Sequence, residues 1–416
     1  MKFLSTALLC TLTIPVFAAD WPRWRGPGND GHAPAGVMPK SLPAETKTLW
    51  HLPIGQGQAS PVVAGGKVFY LDNQGQKETV HAADAATGEE LWKATLDDVM
   101  HDSQVPDGPR CAPVVDEGRV YAQSCRGELQ CLAVADGKVI WRANYVKDFG
   151  AVFTGEKGTA VGASRHGFNG SPLVEGDKLL VGAGGLEGAS VVCLDKLTGK
   201  TIWKSGDDPA GYGSPAVATV AGRKQVLIFN AKAVCGVDLA TGAALWRYPI
   251  ETSWGRHVIT PIASGDVVIV SSHQAGLMGI KISAKDGAFQ AERDWLSKEF
   301  AVNFASPVLA GDYLYCVSPG KTLFCLNART GEKAWAKEAF FGASMRKEYG
   351  GFLVLKDNLF VLTDTGVGFL VALDNKTFRS IGQTQICGEN WCNPAYADGK
   401  LYLRDNKELL CVQLMQ

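Results

Sequence analysis

Apolar residues along the 416-residue chain fall in short paired runs rather than at helical spacing. A small polar residue and a proline introduce two or three apolar positions, a Gly- or Asp-containing turn follows, and a second apolar run comes after it. Ser60-Pro61-Val62-Val63, Ala112-Pro113-Val114-Val115 and Ser171-Pro172-Leu173-Val174 open three such units. Ser214-Pro215, Thr260-Pro261, Ser306-Pro307 and Asn393-Pro394 open four more, and Gly350-Gly351 opens a degenerate copy without the proline, which makes eight. Proline is tolerated at a strand's first residue, where its missing N–H need not pair. Two apolar runs around a tight turn predict a hairpin.

A second phrase ends each unit: Asp, two residues, Thr-Gly, three residues, Trp. Asp84…Thr87-Gly88…Trp92, Asp195…Thr198-Gly199…Trp203 and Asp238…Thr241-Gly242…Trp246 match in full, and Asn327…Thr330-Gly331…Trp335 keeps all but the acid. Asp136-Gly137…Trp141 is looser, Asp286-Gly287…Trp295 has slipped, and the seventh copy keeps only Leu373-Asp374 and Thr377-Phe378. Thr-Gly supplies a further turn before an outer, Trp-bearing strand. A four-stranded unit of about 40–60 residues cannot bury both faces alone, so neighbours must stack, and radial stacking gives a propeller. The expected fold is all-β: an eight-bladed β-propeller of four-stranded antiparallel blades, one domain over 19–416 with 19–45 as a wrap segment. The last unit ends on its third strand, Leu410-Cys411-Val412-Gln413-Leu414, while Thr48-Leu49-Trp50 precedes the first unit and matches Leu91-Trp92. That N-terminal strand is expected to complete the last blade and close the ring.

Composition agrees. The 48 glycines exceed the usual ~7 % and suit many tight turns. With 41 basic and 42 acidic residues, the chain lacks the basic surface that neutralises phosphates, which argues against a nucleic-acid partner. Lys2, the apolar stretch 3–17 and the small-residue pattern Val16-Phe17-Ala18 predict a signal peptide over 1–18, cleaved after Ala18, and export to the periplasm or medium. The stretch is shorter than the ~20 residues of a spanning helix, and no later segment reaches that length, so no membrane span is expected.

Ten of the eleven cysteines follow residue 18. Cys131, Cys193, Cys325 and Cys411 hold one equivalent position in different units. They are too far apart to pair within the ~7 Å Cα limit, and a buried apolar role suits them. Cys316 with Cys325 and Cys125 with Cys131 lie on paired strands and are candidate disulfides. Cys111 and Cys392 sit before start phrases in different units.

The Asp…Thr-Gly…Trp phrase resembles the tryptophan-docking motif of the pyrroloquinoline quinone (PQQ) dehydrogenases. The opening Asp20-Trp21-Pro22-Arg23-Trp24-Arg25-Gly26-Pro27 resembles the start of PQQ-like propellers, and BamB-type assembly factors carry the same kind of repeat without a quinone. The resemblance implies the fold and leaves the chemistry open.

In such a ring, the residues just before each start phrase are expected to line a central funnel: Gln58, Arg110, Asn169, Tyr212, His257, Asn303, Tyr349, Glu389, Asn390 and Trp391. A polar funnel with aromatic neighbours is the default ligand site; the same groups also suit backbone satisfaction and channel water. Insertions at 97–108, 144–165 and 338–349 fall on the funnel face, where they can cap a site or grip a partner, and His166 and His257 are placed to meet there. The quinone-enzyme resemblance implies PQQ, a calcium set and an Asp base. Calcium needs several converging oxygens, of which Glu389 and Asn390 supply two, and the predicted ring holds no further acid. The chain also lacks an adjacent Cys-Cys pair and the length of those enzymes. There is no zinc spacing, no nucleophile elbow and no phosphate loop. Three readings follow: an exported non-catalytic scaffold of BamB type with a protein or cell-envelope partner; a PQQ- and calcium-dependent oxidoreductase; and a carbohydrate or small-molecule binder at the funnel. The incomplete catalytic set favours the first.

Overall fold

Among the residues described by the computed structural model (19–36, 38–155 and 161–415), the paired apolar runs form eight four-stranded antiparallel sheets. The predicted leader, with Cys10, lies outside these residues. Blades 1 to 7 each take four consecutive strands, over 62–98, 114–144, 173–205, 216–249, 262–297, 308–337 and 350–385. Blade 8 takes Ala395–Ala397, Lys400–Arg404 and Glu408–Gln413 from the end of the chain and Lys47–Pro53 from its beginning. Trp50 stands opposite Cys411, so the N-terminal strand closes the ring as its sequence suggests. No helix is long and apolar enough to cross a membrane among the described residues.

Each outermost strand carries a bulge at the residue before the tryptophan position. In blade 2, Cys131 faces Trp141 and Leu132 faces Val139, which leaves Ile140 unpaired. The same shift recurs beside Trp50, Trp92, Trp203, Trp246, Trp295 and Trp335, and at Ile381 in blade 7. An extra residue bends and twists a strand, here turning each indole toward the following blade. The indole N–H groups of Trp50, Trp92, Trp141, Trp203 and Trp335 donate to the carbonyls of Ala85, Val134, Lys196, Leu239 and Asp374, each in the next blade, at 2.7–3.1 Å. The ring lies so close to the next blade's turn glycine that a Cβ at Gly88, Gly137, Gly199, Gly242 or Gly331 would stand 2.5–2.8 Å from it. Blade 5 lacks the Thr-Gly turn, because Gly276–Lys285 and Ala288–Ser297 are joined by the two-residue turn Asp286-Gly287 with both φ positive. Trp246, which would dock there, donates instead to Gln225 Oε1 of its own blade at 2.7 Å.

The recurring cysteines explain themselves in this geometry. Cys131, Cys325 and Cys411 each stand between a second-strand tyrosine and the outer tryptophan, with Tyr–Trp ring centroids 6.0 Å apart in all three blades. Ala82, Gly236 and Gly279 fill the slot in blades 1, 4 and 5, where it also faces a tryptophan, and in blade 7, where Gly382 stands in the tryptophan's place, Leu370 fills it. The candidate disulfides are not formed: all ten cysteines from Cys111 to Cys411 are free thiols. Cys316 pairs with Phe324 and Cys325 with Tyr315, so the two thiols sit on adjacent rungs and point to opposite faces. Cys125 lies beyond its strand's end and turns toward Gly108 O and Asn169, away from Cys131.

Residues 19–33 touch every blade. Ala19 N donates to Asp398 of blade 8, Trp21 makes a two-way bridge to Val63 of blade 1, and Pro22 O accepts from Val115 N of blade 2. Arg23 donates to Val174 O, Asn29 to Pro215 O, Trp24 to Thr260 Oγ1 and Arg25 to Pro307 O, at blades 3 to 6, and Gly31 and Ala33 bridge Val354 of blade 7. Inner strands otherwise present unpaired backbone groups to the axis, a cost that grows with burial. The segment satisfies those groups and plugs one end of the central channel.

Candidate ligand-binding funnel

Above the plug lies a cavity of about 450 Å³ floored by Trp24. Serine hydroxyls of the start phrases line it, and each also joins two blades. Ser60 Oγ accepts from Asn393 N, Ser171 Oγ from Ala112 N, Ser214 Oγ from Ser171 N, and Ser306 Oγ from Thr260 N, at 2.9–3.2 Å. A hydroxyl that accepts in this way keeps its own proton to donate.

Of the ten residues expected in the funnel, Gln58, Arg110, Asn169, Tyr212, Tyr349 and Trp391 line this cavity. His257 does not: its ring is fully buried, stacked on Phe229 at 4.0 Å, with Nδ1 2.6 Å from Asn230 O, and its neighbours Arg256 and Val258 face the space instead. Burial holds the His257 imidazole down at about 4, against the pull of the Asn230 carbonyl. Asn390 is also turned inward, donating to Thr363 O at 2.9 Å, and Phe304 takes the place expected of Asn303. Glu389 borders an adjoining recess of about 290 Å³, where Arg346 pairs with it. His166 and His257 therefore do not meet. In the seven blades whose start phrase keeps its proline, the cavity-facing residue stands two before the phrase's small residue (Gln58, Arg110, Asn169, Tyr212, Val258, Phe304 and Trp391), whereas His257, Asn303 and Asn390 stand three before it and miss the axis.

The aromatic wall comes from blades 6 to 8. Trp391 stacks on Tyr349 with centroids 5.2 Å apart and planes 9° from parallel, and Phe304 meets it edge-on at 5.3 Å. The opposite wall is polar, and of its members Asp102 carries no repeat signal. Asp102, from the insertion 97–108, is buried with its Oδ2 2.9 Å from Arg110 Nη2 and 3.0 Å from His166 Nδ1. Arg110 also donates to His166 O at 2.7 Å, and Tyr212 donates to Gly162 O at 2.6 Å, which fastens the 144–165 insertion to the funnel. Asp102 accepts from Nδ1–H, so in the neutral form of the His166 ring the lone pair stands on Nε2.

Behind this wall, Glu78 accepts from Cys125 N and is fully buried. Burial raises its carboxyl from 4.5 to about 8, with further repulsion from Asp97. Between those values the folded state holds a proton that the unfolded chain has released, so stability falls as pH rises through the window. Glu78→Gln is expected to gain stability over the parent as pH rises from about 5 to about 9, measured by urea denaturation. Parallel curves would show that the group ionises alike in both states.

Calcium with a quinone demands several oxygens converging on one point. Asp102 is the one carboxylate lining the cavity among the described residues, and its Oδ2 is shared by Arg110 and His166. Glu389 is held by Arg346, and Asn390 is spent on Thr363 O. No group of three or more His, Cys, Asp or Glu is arranged to hold a metal ion among the described residues. The residues do not fit a calcium–quinone centre.

A family model described as outer membrane protein assembly factor BamB matches residues 40–150 and 76–337. The chain belongs to that family. BamB of Shewanella oneidensis is 22% identical over 393 residues, covering 87% of this chain and 87% of that protein. The dehydrogenase subunit of the quinone alcohol dehydrogenase of Gluconobacter oxydans is 28% identical over 202 residues, 44% of this chain but 24% of that protein. Among solved structures, BamB from Moraxella catarrhalis matches 89% of this chain and 98% of its own at a TM-score of 0.56 and 16% identity. Quinohemoprotein alcohol dehydrogenase from Comamonas testosteroni matches 95% of this chain and 80% of its own at a TM-score of 0.62 and 14% identity. At these identities the structural likeness concerns the fold, which BamB-type and quinone-dependent members of the wider group share.

Proposed function

We propose that the protein is an exported, non-catalytic scaffold of the BamB kind that holds a cell-envelope protein on its funnel-face rim. The observation that carries this reading is the capture of Asp102 by Arg110 and His166. It leaves the funnel without an uncommitted carboxylate, among the described residues, to act as a base or calcium ligand. The alignment over 87% of a BamB supports it, against an alignment to a quarter of a quinone dehydrogenase. Export places the protein where such a partner stands, and cleavage after Ala18 would leave the Ala19 ammonium on Asp398 Oδ1, now 2.9 Å from Ala19 N. N-terminal sequencing of the protein from its own bacterium tests the cleavage.

The decisive experiment mixes residues 19–416 with PQQ and Ca²⁺. The expected result is an unchanged melting temperature and no alcohol-dependent dye reduction. A raised melting temperature with dye reduction overturns the non-catalytic reading. In the bacterium, loss of the gene is expected to lower the level of assembled outer-membrane proteins; an unchanged level overturns the assembly role.

A further inference from the structure

The funnel cavity carries more positive charge than its walls neutralise. Arg110, Arg256 and Lys347 line it against the single carboxylate of Asp102 among the described residues. Asp102 is engaged by Arg110 and His166. Arg256 donates to the amide oxygen of Gln104, at 3.3 Å, and Lys347 holds its ammonium 5.5 Å from the centre of the Trp391 ring, neither cation being in an ion pair among the described residues. Two cations thus face the mouth of the cavity with neutral partners.

A second observation points to hydroxyl groups. His166 is 8% exposed, its Nδ1 is on Asp102, and its Nε2 is buried without a hydrogen-bond partner. An unmet buried acceptor costs about 1–3 kcal/mol, so a ligand O–H delivered there removes a standing penalty. Around it stand donors that suit ring oxygens and hydroxyls: the serine protons of the start phrases and the amides of Gln58 and Asn169. Opposite is the apolar wall of Phe304 and Trp391, with Trp24 beneath. The volume, about 450 Å³, lies within the roughly 300–1,000 Å³ of small-molecule sites.

We propose that the funnel binds a small hydroxylated carboxylate of the sugar-acid class. Its ring lies against the Phe304–Trp391 wall, its carboxylate is held by Arg256 and Lys347, and one hydroxyl donates to His166 Nε2. A neutral sugar leaves the two cations unanswered, and a flat aromatic acid leaves His166 Nε2 and the serine protons unanswered. This goes beyond the scaffold reading, and neither depends on the other.

The test is calorimetric titration of residues 19–416 with D-glucuronate, D-glucose and benzoate at low salt. Glucuronate is expected to bind with a Kd near or below ~1 mM, and glucose and benzoate at least about tenfold more weakly. Arg256→Ala with Lys347→Ala is expected to remove the preference for glucuronate over glucose. His166→Phe is expected to weaken glucuronate while leaving benzoate unchanged, and unaltered melting temperatures show that the variants fold. Benzoate or glucose binding as tightly as glucuronate, or no binding of glucuronate at tens of millimolar, overturns the proposal. So does a double variant that retains the preference.

Discussion

Trp50→Ala is expected to lower the free energy of unfolding by about 3–5 kcal/mol, the usual range for truncating a buried tryptophan. Trp50 is 8% exposed, stands 6.0 Å from Tyr402, and donates to Ala85 O at 3.0 Å, a carbonyl that Tyr402 Oη–H also reaches at 3.2 Å. It is carried by the strand that completes blade 8, and its ring presses on Gly88 of blade 1, so one side chain joins both sides of the closing seam. Trp246 is the internal control: it is as buried, yet its N–H bonds within its own blade. Urea denaturation should show the larger loss at Trp50, and limited proteolysis should cut near 47–53 only in that variant. Equal losses with no new cleavage would mean that the seam bears no special load.

Trp21→Ala carries an expected loss of similar size, about 3–5 kcal/mol, for a different reason. Trp21 is 2% exposed, packs with the blade 8 and blade 1 core, and sits so near Gly26 that a Cβ there would stand 2.8 Å from its ring. It anchors the plug, whose Arg25 is 4% exposed and donates to Asp30 O and Pro307 O. Burial draws that guanidinium down to about 10, so Arg25 stays inside only while the packing around it is intact. Trypsin should spare Arg23 and Arg25 in the parent and cleave there in Trp21→Ala. A variant of unchanged stability and unchanged cleavage would show that the plug holds without its anchor.

The eight units were legible because their marks are local. A proline at a strand start, a Thr-Gly turn and a tryptophan each answer to constraints within a few residues, and the closing strand betrayed itself by matching the outer strands. The plug was not legible in its bonds, because Trp21, Arg23 and Arg25 answer to backbone carbonyls that any sequence supplies. The funnel was half legible. Gln58, Arg110, Asn169, Tyr212, Tyr349 and Trp391 follow from the repeat, while Asp102 and the partnership with His166 come from insertions that carry no repeat signal. His257 and Asn390 miss the axis because they stand three residues before the small residue of their start phrases, Thr260 and Asn393, and the residue two before it, Val258 or Trp391, faces the cavity instead.

The plug also sets an order of events. Ala19 meets a residue 379 positions away, and Arg25 one 282 positions away, the kind of long-range contact whose loop-closure cost slows folding. A chain made N-terminus first can complete the bonds of residues 19–33 only when the last blade is present, since their partners run from Val63 to Asp398. The segment thus ties the blades together as a set: its bonds reach blades 1 to 8, and the full set can form only when every blade is present.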